Sequence, residues 1–124
     1  RILQQDKPDD FVLATGVAYT VRDFVNMAFG EVNINVRWEG KDAEEKGYND
    51  ETGQLLVEID KRYFRPTEVD VLIGDASKAE RELGWKPKHT LQEMVTEMVK
   101  SDLLLFEKDQ YLKEGGHDIL NYHE

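Results

Sequence analysis

Apolar residues recur along this chain with two different periods. Val21, Phe24, Val25, Ala28 and Phe29 follow one another at helical spacing and share one face. Thr20 precedes them as an N-cap candidate, and Asp23 stands where a reciprocal capping acid belongs. Gly30 ends or weakens this predicted helix. Ile34, Val36 and Trp38 then alternate with Asn35 and Arg37, the pattern of a half-buried strand. Gln54 to Ile59 reads as a second strand, and Val69, Val71, Leu72 and Ile73 as a further short one. Between the first two lies Gly40 to Gly53, polar, charged and interrupted by Gly47, which predicts an exposed loop. Phe11 to Ala14 predicts a short buried strand after a turn over Asp6 to Asp10.

The second half is predicted to be helical. Asp75 or Ser77 caps a short helix to Leu83, with Gly84 placed to end it and Trp85 and Pro87 just beyond. Thr90 with Glu93 repeats the capping arrangement. Leu91, Met94, Val95, Met98, Val99, Leu103 and Phe106 follow as the longest apolar stripe in the chain, predicting a helix over 91–106. Residues 109–124 are weakly patterned and Gly115-Gly116 breaks any helix there, so a flexible tail is expected. The fold class expected is a small α/β or α+β unit, with short strands and three or four helices in a single domain over 1–124.

Composition narrows the class. A chain of 124 residues with 40% hydrophobic and 34% charged positions buries one modest core. No apolar stretch approaches the ~18 residues that span a bilayer. The net charge is −10, from 16 Lys and Arg against 26 Asp and Glu. That field disfavours nucleic acid and anionic membrane as partners. There is no cysteine, which removes disulfides, thiol catalysis and thiolate metal sites, and is compatible with a cytoplasmic location. No secretory signal pattern stands at Arg1 to Asp6. There is no initiator Met, and Ile2 to Gln5 reads as the last turn of a helix whose earlier turns are missing; a piece of a longer protein is expected.

Lys61, Arg62 and Arg65 form the one cationic cluster of this acidic chain, and its plain reading is a solvated patch that balances nearby acids. A small anionic ligand is the other reading. Arg presents a planar fork of donors suited to phosphate. Pro66 fixes its own φ and biases Arg65 toward extended backbone, which aims the side chain. Glu68 then stands about 10 Å from Arg65 along an extended segment. That is roughly the span from a diphosphate to the ribose hydroxyls of one nucleotide. The segment is therefore a candidate for holding a nucleoside diphosphate. Tyr63 and Phe64 read as packing residues beside it.

Other chemistries find no support. There is no Gly-x-Gly-x-x-Gly and no phosphate-binding P-loop. His89, His117 and His123 have no ligand-like pairing, and Tyr63 has no Lys four residues on. The chain carries no complete catalytic apparatus.

Several phrases occur together in one order: Ala14-Thr15-Gly16, Thr20-Val21-Arg22-Asp23-Phe24, Trp38-Glu39-Gly40, Tyr63-Phe64-Arg65-Pro66-Thr67-Glu68-Val69, Gly74-Asp75-Ala76-Ser77-Lys78-Ala79 and Leu83-Gly84-Trp85-Lys86-Pro87. Glu93-Met94-Val95 and Met98-Val99 close the series. Over roughly residues 2–120 the chain resembles the C-terminal third of the GDP-mannose 4,6-dehydratases, which are extended short-chain dehydrogenases/reductases. The Leu-Gly-Trp-Lys-Pro phrase is shared widely among nucleotide-sugar dehydratases and epimerases. The Arg-Pro-Thr-Glu-Val and Trp-Glu-Gly phrases point to the GDP-mannose enzymes.

The resemblance implies a substrate-binding domain without its Rossmann domain. It implies an enzyme that binds NADP on that N-terminal domain and converts GDP-mannose to GDP-4-keto-6-deoxymannose, a precursor of GDP-fucose. The Gly-rich loop, the Tyr-x-x-x-Lys pair and the residues that join subunits of the oligomer lie upstream in the family, so no cofactor is expected on this chain. Carried over by position, Arg65 contacts the diphosphate and Glu68 the ribose, in agreement with the unaided reading. Trp38 is placed either near the guanosine or in the core at the end of its strand. Trp85 is placed as a structural plug between two helices, and Thr15-Gly16 as a structural turn. A stand-alone binding or assembly module, or a related epimerase or reductase, fits the same scaffold.

Overall fold

A computed structural model describes residues 1–65 and 72–117. Among them are three α-helices and one antiparallel sheet of three strands, the small α/β unit expected. Helix α1 spans Val21–Gly30 and helix α2 Ser77–Leu83, while the long helix α3 spans Leu91–Glu114. The sheet is a meander of β1 (Val36–Glu39), β2 (Lys46–Asn49) and β3 (Leu55–Glu58), in that spatial order.

Capping decides where the two larger helices start. The Thr20 hydroxyl accepts the Asp23 amide at 3.0 Å, and the Asp23 carboxylate accepts the Thr20 amide at 2.9 Å. Thr90 and Glu93 repeat this at 3.2 and 2.8 Å. Two otherwise unpaired amides are satisfied at each end. Helix α2 starts differently: Ala76 is its N-cap, and the Asp75 carboxylate accepts the Ser77 amide at 2.9 Å. It stops at Gly84, whose φ of 59° is left-handed.

Packing is thin. The buried apolar side chains among the described residues are Ala79 and Leu83 on α2 and Val95 on α3. Helix α1 packs against α3 near Val95 and half-buries Phe24, Val25, Ala28 and Phe29. A polar link reinforces this contact: the Thr96 hydroxyl donates to Glu31 Oε1 at 2.7 Å, and Gln92 Nε2 donates to the same oxygen at 2.9 Å. The N-terminal segment is tied to α2 at both ends. Arg1 donates to the Leu83 carbonyl at 2.9 Å, and Lys78 reaches the Asp10 carbonyl at 2.9 Å and the Asp9 carboxylate at 2.7 Å.

Four expectations need correction. The loop predicted over 40–53 contains β2, the central strand, and Gly47 within it is buried. Gly47 sits opposite Trp38 in the ladder, and a Cβ there would stand 2.9 Å from Val36 Cγ1 and 3.2 Å from the Trp38 ring. Glycine is needed so that two large side chains can lie on its backbone, a use that looks like a break in sequence. Phe11 to Ala14 forms no strand, and Val12 is 54% exposed. It runs beside Gly74, so closely that a Cβ there would stand 2.6 Å from Ala14 Cβ. Leu72 and Ile73 are likewise not in a strand and are exposed, while Val69 and Val71 lie outside the described residues. Finally, α3 continues past Phe106 to Glu114, because nothing before Gly115 interrupts it and helix-favouring Leu, Glu, Lys and Gln fill the extra turns.

Candidate functional site

The candidate segment leaves the sheet at the end of β3. Asp60 organises the turn there. Its carboxylate accepts the Arg62 amide at 2.9 Å and grips the Arg62 guanidinium at 2.6 Å and 3.0 Å. The guanidinium also lies 5.5 Å from the Tyr63 ring centroid. Lys61 pairs with Glu44 at 2.5 Å. The Arg62 guanidinium holds the Asp60 carboxyl below the usual carboxylate range, and Lys61 does the same for Glu44. In return, Glu44 raises Lys61 and Asp60 raises Arg62. For Lys61 and Arg62 the plain reading of the cluster holds: they balance neighbouring acids, in pairs that solvent screens.

Arg65 is exposed and follows Phe64, which is half-buried. Pro66 and Glu68 lie outside the described residues, so the separation of Arg65 and Glu68 is not part of the described geometry. Tyr63 is exposed and does not enter the core; its ring lies near the Arg62 guanidinium.

Phe64 opens onto a hollow of about 630 Å³ lined by Arg22, Trp38, Lys41, Asp42, Glu45 and Ile59. The volume lies within the range of small-molecule sites. Four segments build it: α1 supplies Arg22, the end of β1 supplies Trp38, the turn before β2 supplies Gly40, Lys41, Asp42 and Glu45, and the exit from β3 supplies Ile59 and Phe64. Gly40 turns the chain between β1 and β2 at a φ of 87°, where a Cβ would collide with the Glu44 carbonyl at 2.4 Å. The Trp-Glu-Gly phrase thus marks a strand end and its turn. Trp38 is half-buried, on the inward side of a strand whose exposure alternates as predicted.

The structure therefore places Trp38 and Phe64, the neighbour of Arg65, on one hollow. Arg22 and Glu45, which line it, and Asn26, which accepts a hydrogen bond from the Trp38 indole, were not singled out from sequence. Arg22 lies within the Thr20-to-Phe24 phrase, but its charge is that of an ordinary exposed helix position. Glu45 sits in the stretch read as loop. Trp85 is half-buried beyond α2, its amide donating to the Ala79 carbonyl at 3.2 Å. His89 and His117 are exposed and His123 lies outside the described residues. Among the described residues no group of His, Asp and Glu could hold a metal ion, and no helix is long and apolar enough to cross a membrane.

Comparison with known proteins extends this local picture. A family profile described as GDP-mannose 4,6 dehydratase matches residues 1–98. The chain is 44% identical over 128 aligned positions to a GDP-mannose 4,6-dehydratase of Vibrio cholerae, covering 95% of this chain and 34% of that protein. It is 50% identical to GDP-mannose 4,6 dehydratase 2 of Caenorhabditis elegans, covering 88% of this chain and 28% of the relative. The corresponding enzyme of Dictyostelium discoideum is 45% identical, with 92% and 30% covered. The chain spans about a third of the length of these curated relatives. With most of its length matched by the profile and by each of these relatives, the chain belongs to the GDP-mannose 4,6-dehydratase family.

Proposed function

We propose that this chain is the GDP-mannose-binding part of a GDP-mannose 4,6-dehydratase, with Arg65 on the diphosphate, Glu68 on the ribose hydroxyls and Trp38 bordering the guanosine side. The observation that supports the reading is that Phe64, the residue before Arg65, lines one hollow with Trp38 at the exit of β3, in a chain of this family. An Arg fork suits a diphosphate, and an acid suits vicinal hydroxyls.

The whole protein is proposed to be a lyase that converts GDP-mannose to GDP-4-keto-6-deoxymannose, which feeds GDP-fucose synthesis. It acts in the cytoplasm as a homo-oligomer, with NADP on an N-terminal Rossmann domain of the short-chain dehydrogenase/reductase type. The described residues here do not fit that cofactor: none forms a glycine-rich turn between a strand and a helix. No step of the redox chemistry is assigned to them, and the chain by itself is proposed to be inactive.

The test is a titration of the full-length protein with GDP-mannose and with UDP-glucose, repeated for Arg65→Ala. Losing a charge-assisted contact costs about 1.5–3 kcal/mol, so GDP-mannose affinity should fall at least about tenfold. Equal affinity in the parent and Arg65→Ala would refute the site. Tighter binding of UDP-glucose than of GDP-mannose would instead favour an epimerase or reductase of different base preference.

A further inference from the structure

Trp38 is held from α1 as well as from its own sheet. Asn26 Oδ1 accepts the indole N–H at 2.9 Å. The Arg22 guanidinium lies 5.5 Å from the ring centroid and also pairs with Glu45, just before β2. Within the sheet, Gly47 gives the ring room that a Cβ would close to 3.2 Å. The indole therefore bridges α1 and the meander, with its polar edge satisfied and its orientation fixed. Phe64 lines the same hollow as Trp38 and Arg22, and Arg65 is the next residue.

We infer that Asn26 and Arg22 are positioning residues for nucleotide binding: from α1 they lock Trp38, and the wall made by Trp38 and Phe64 fixes where Arg65 leaves the hollow. The inference rests on the reading of Arg65 as a diphosphate contact. Asn26 has no place in the chemistry and lies one helical turn beyond Arg22 on α1. Its side chain meets the site only through the Trp38 indole. Removing the acceptor leaves that N–H without its protein partner and frees the ring to turn. A looser Arg65 then weakens ground-state and transition-state binding equally, which raises KM and spares kcat.

The experiment is steady-state kinetics of the full-length protein with GDP-mannose for four forms: parent, Asn26→Leu, Asn26→Asp and Arg65→Ala. Asn26→Leu keeps the bulk and deletes the acceptor; KM should rise about fivefold, the equivalent of one net hydrogen bond, with kcat within about twofold. Asn26→Asp restores an acceptor and should restore KM. If Arg65→Ala raises KM while Asn26→Leu leaves it unchanged, the positioning role is wrong and the nucleotide site stands. If neither variant changes KM, both fail. A rise in KM that Asn26→Asp does not reverse also overturns the inference. Should Asn26→Leu not fold, Trp38→Phe removes the donor of the same hydrogen bond, and an unchanged KM in that variant decides against the lock.

Discussion

The two halves of α3 carry one apolar stripe and meet different surroundings. In the first half Val95 is 0% exposed, and Thr96 and Gln92 bond to Glu31 at the end of α1. In the second half Leu103 and Phe106, on the same stripe, are 45% and 61% exposed. The helix is continuous through both, so hydrogen bonding within it does not tell them apart. What differs is a neighbour. Helix α1 is only as long as Val21–Gly30 and covers one part of its partner. Hydrophobic periodicity reports which residues share a face of a helix; whether that face is covered depends on other elements.

The sharpest way to break this comparison is to put the same charge into both halves. Val95→Asp puts a carboxylate at a position that is wholly buried. It should destabilise the chain by about 3 kcal/mol or more, or prevent folding. Phe106→Asp puts the same group on an exposed turn and should change stability by less than about 0.5 kcal/mol. Urea midpoints of the two variants measure the difference. Similar losses at both positions would mean that the second half of α3 is as well packed as the first.

A smaller cut separates apolar burial from the polar link. Thr96→Val keeps the shape of the side chain and removes the hydroxyl that donates to Glu31. Thr96 and Glu31 are both partly buried, so the loss should be about 1 kcal/mol, the net worth of such a bond. Double-mutant analysis with Glu31→Ala, which removes the acceptor, assigns it: if the two changes add independently, the hydrogen bond between Thr96 and Glu31 contributes nothing.

These contrasts bear on how much the sequence made legible. Both capping boxes were readable because a cap is local: Thr20 with Asp23, and Thr90 with Glu93, lie within one turn. The alternation of Val36 to Trp38 was readable for the same reason. The central strand was not, since Lys46 to Asn49 has no apolar alternation and contains a glycine. Gly47 is explained only by Trp38 across the ladder, a contact that spacing along the chain does not show. The site divides similarly. Arg65 stands out through Pro66 and the phrase around it. Asn26, Arg22 and Glu45 stand out only once α1 is packed against the sheet. The pairing of Lys61 with Glu44 was not legible either, because it joins the exit of β3 to the turn before β2.

The smallest expected effect concerns the start of the docked half of α3 and is read with acid. The Thr90 amide and then its hydroxyl hold the Glu93 carboxyl below its ordinary 4.5, and Thr20 holds Asp23 below 3.8 in the same way. A carboxyl whose folded pKa lies below its unfolded value binds fewer protons in the native state. Its contribution to stability is complete above the unfolded value and is lost as pH falls through the folded one. Stability should therefore decline as the pH falls below the ordinary carboxyl values of 4.5 and 3.8 and through the lower folded ones. Glu93→Gln keeps an acceptor for the Thr90 amide but cannot titrate. Other lowered acids, among them Asp9, Glu44, Asp60 and Asp75, keep their share of the slope in both proteins. The difference between the two denaturation curves isolates Glu93: the variant should start less stable near neutral pH and lose less on acidification. Parallel curves would mean that the capping carboxylate of α3 is no better bound in the folded chain than in water.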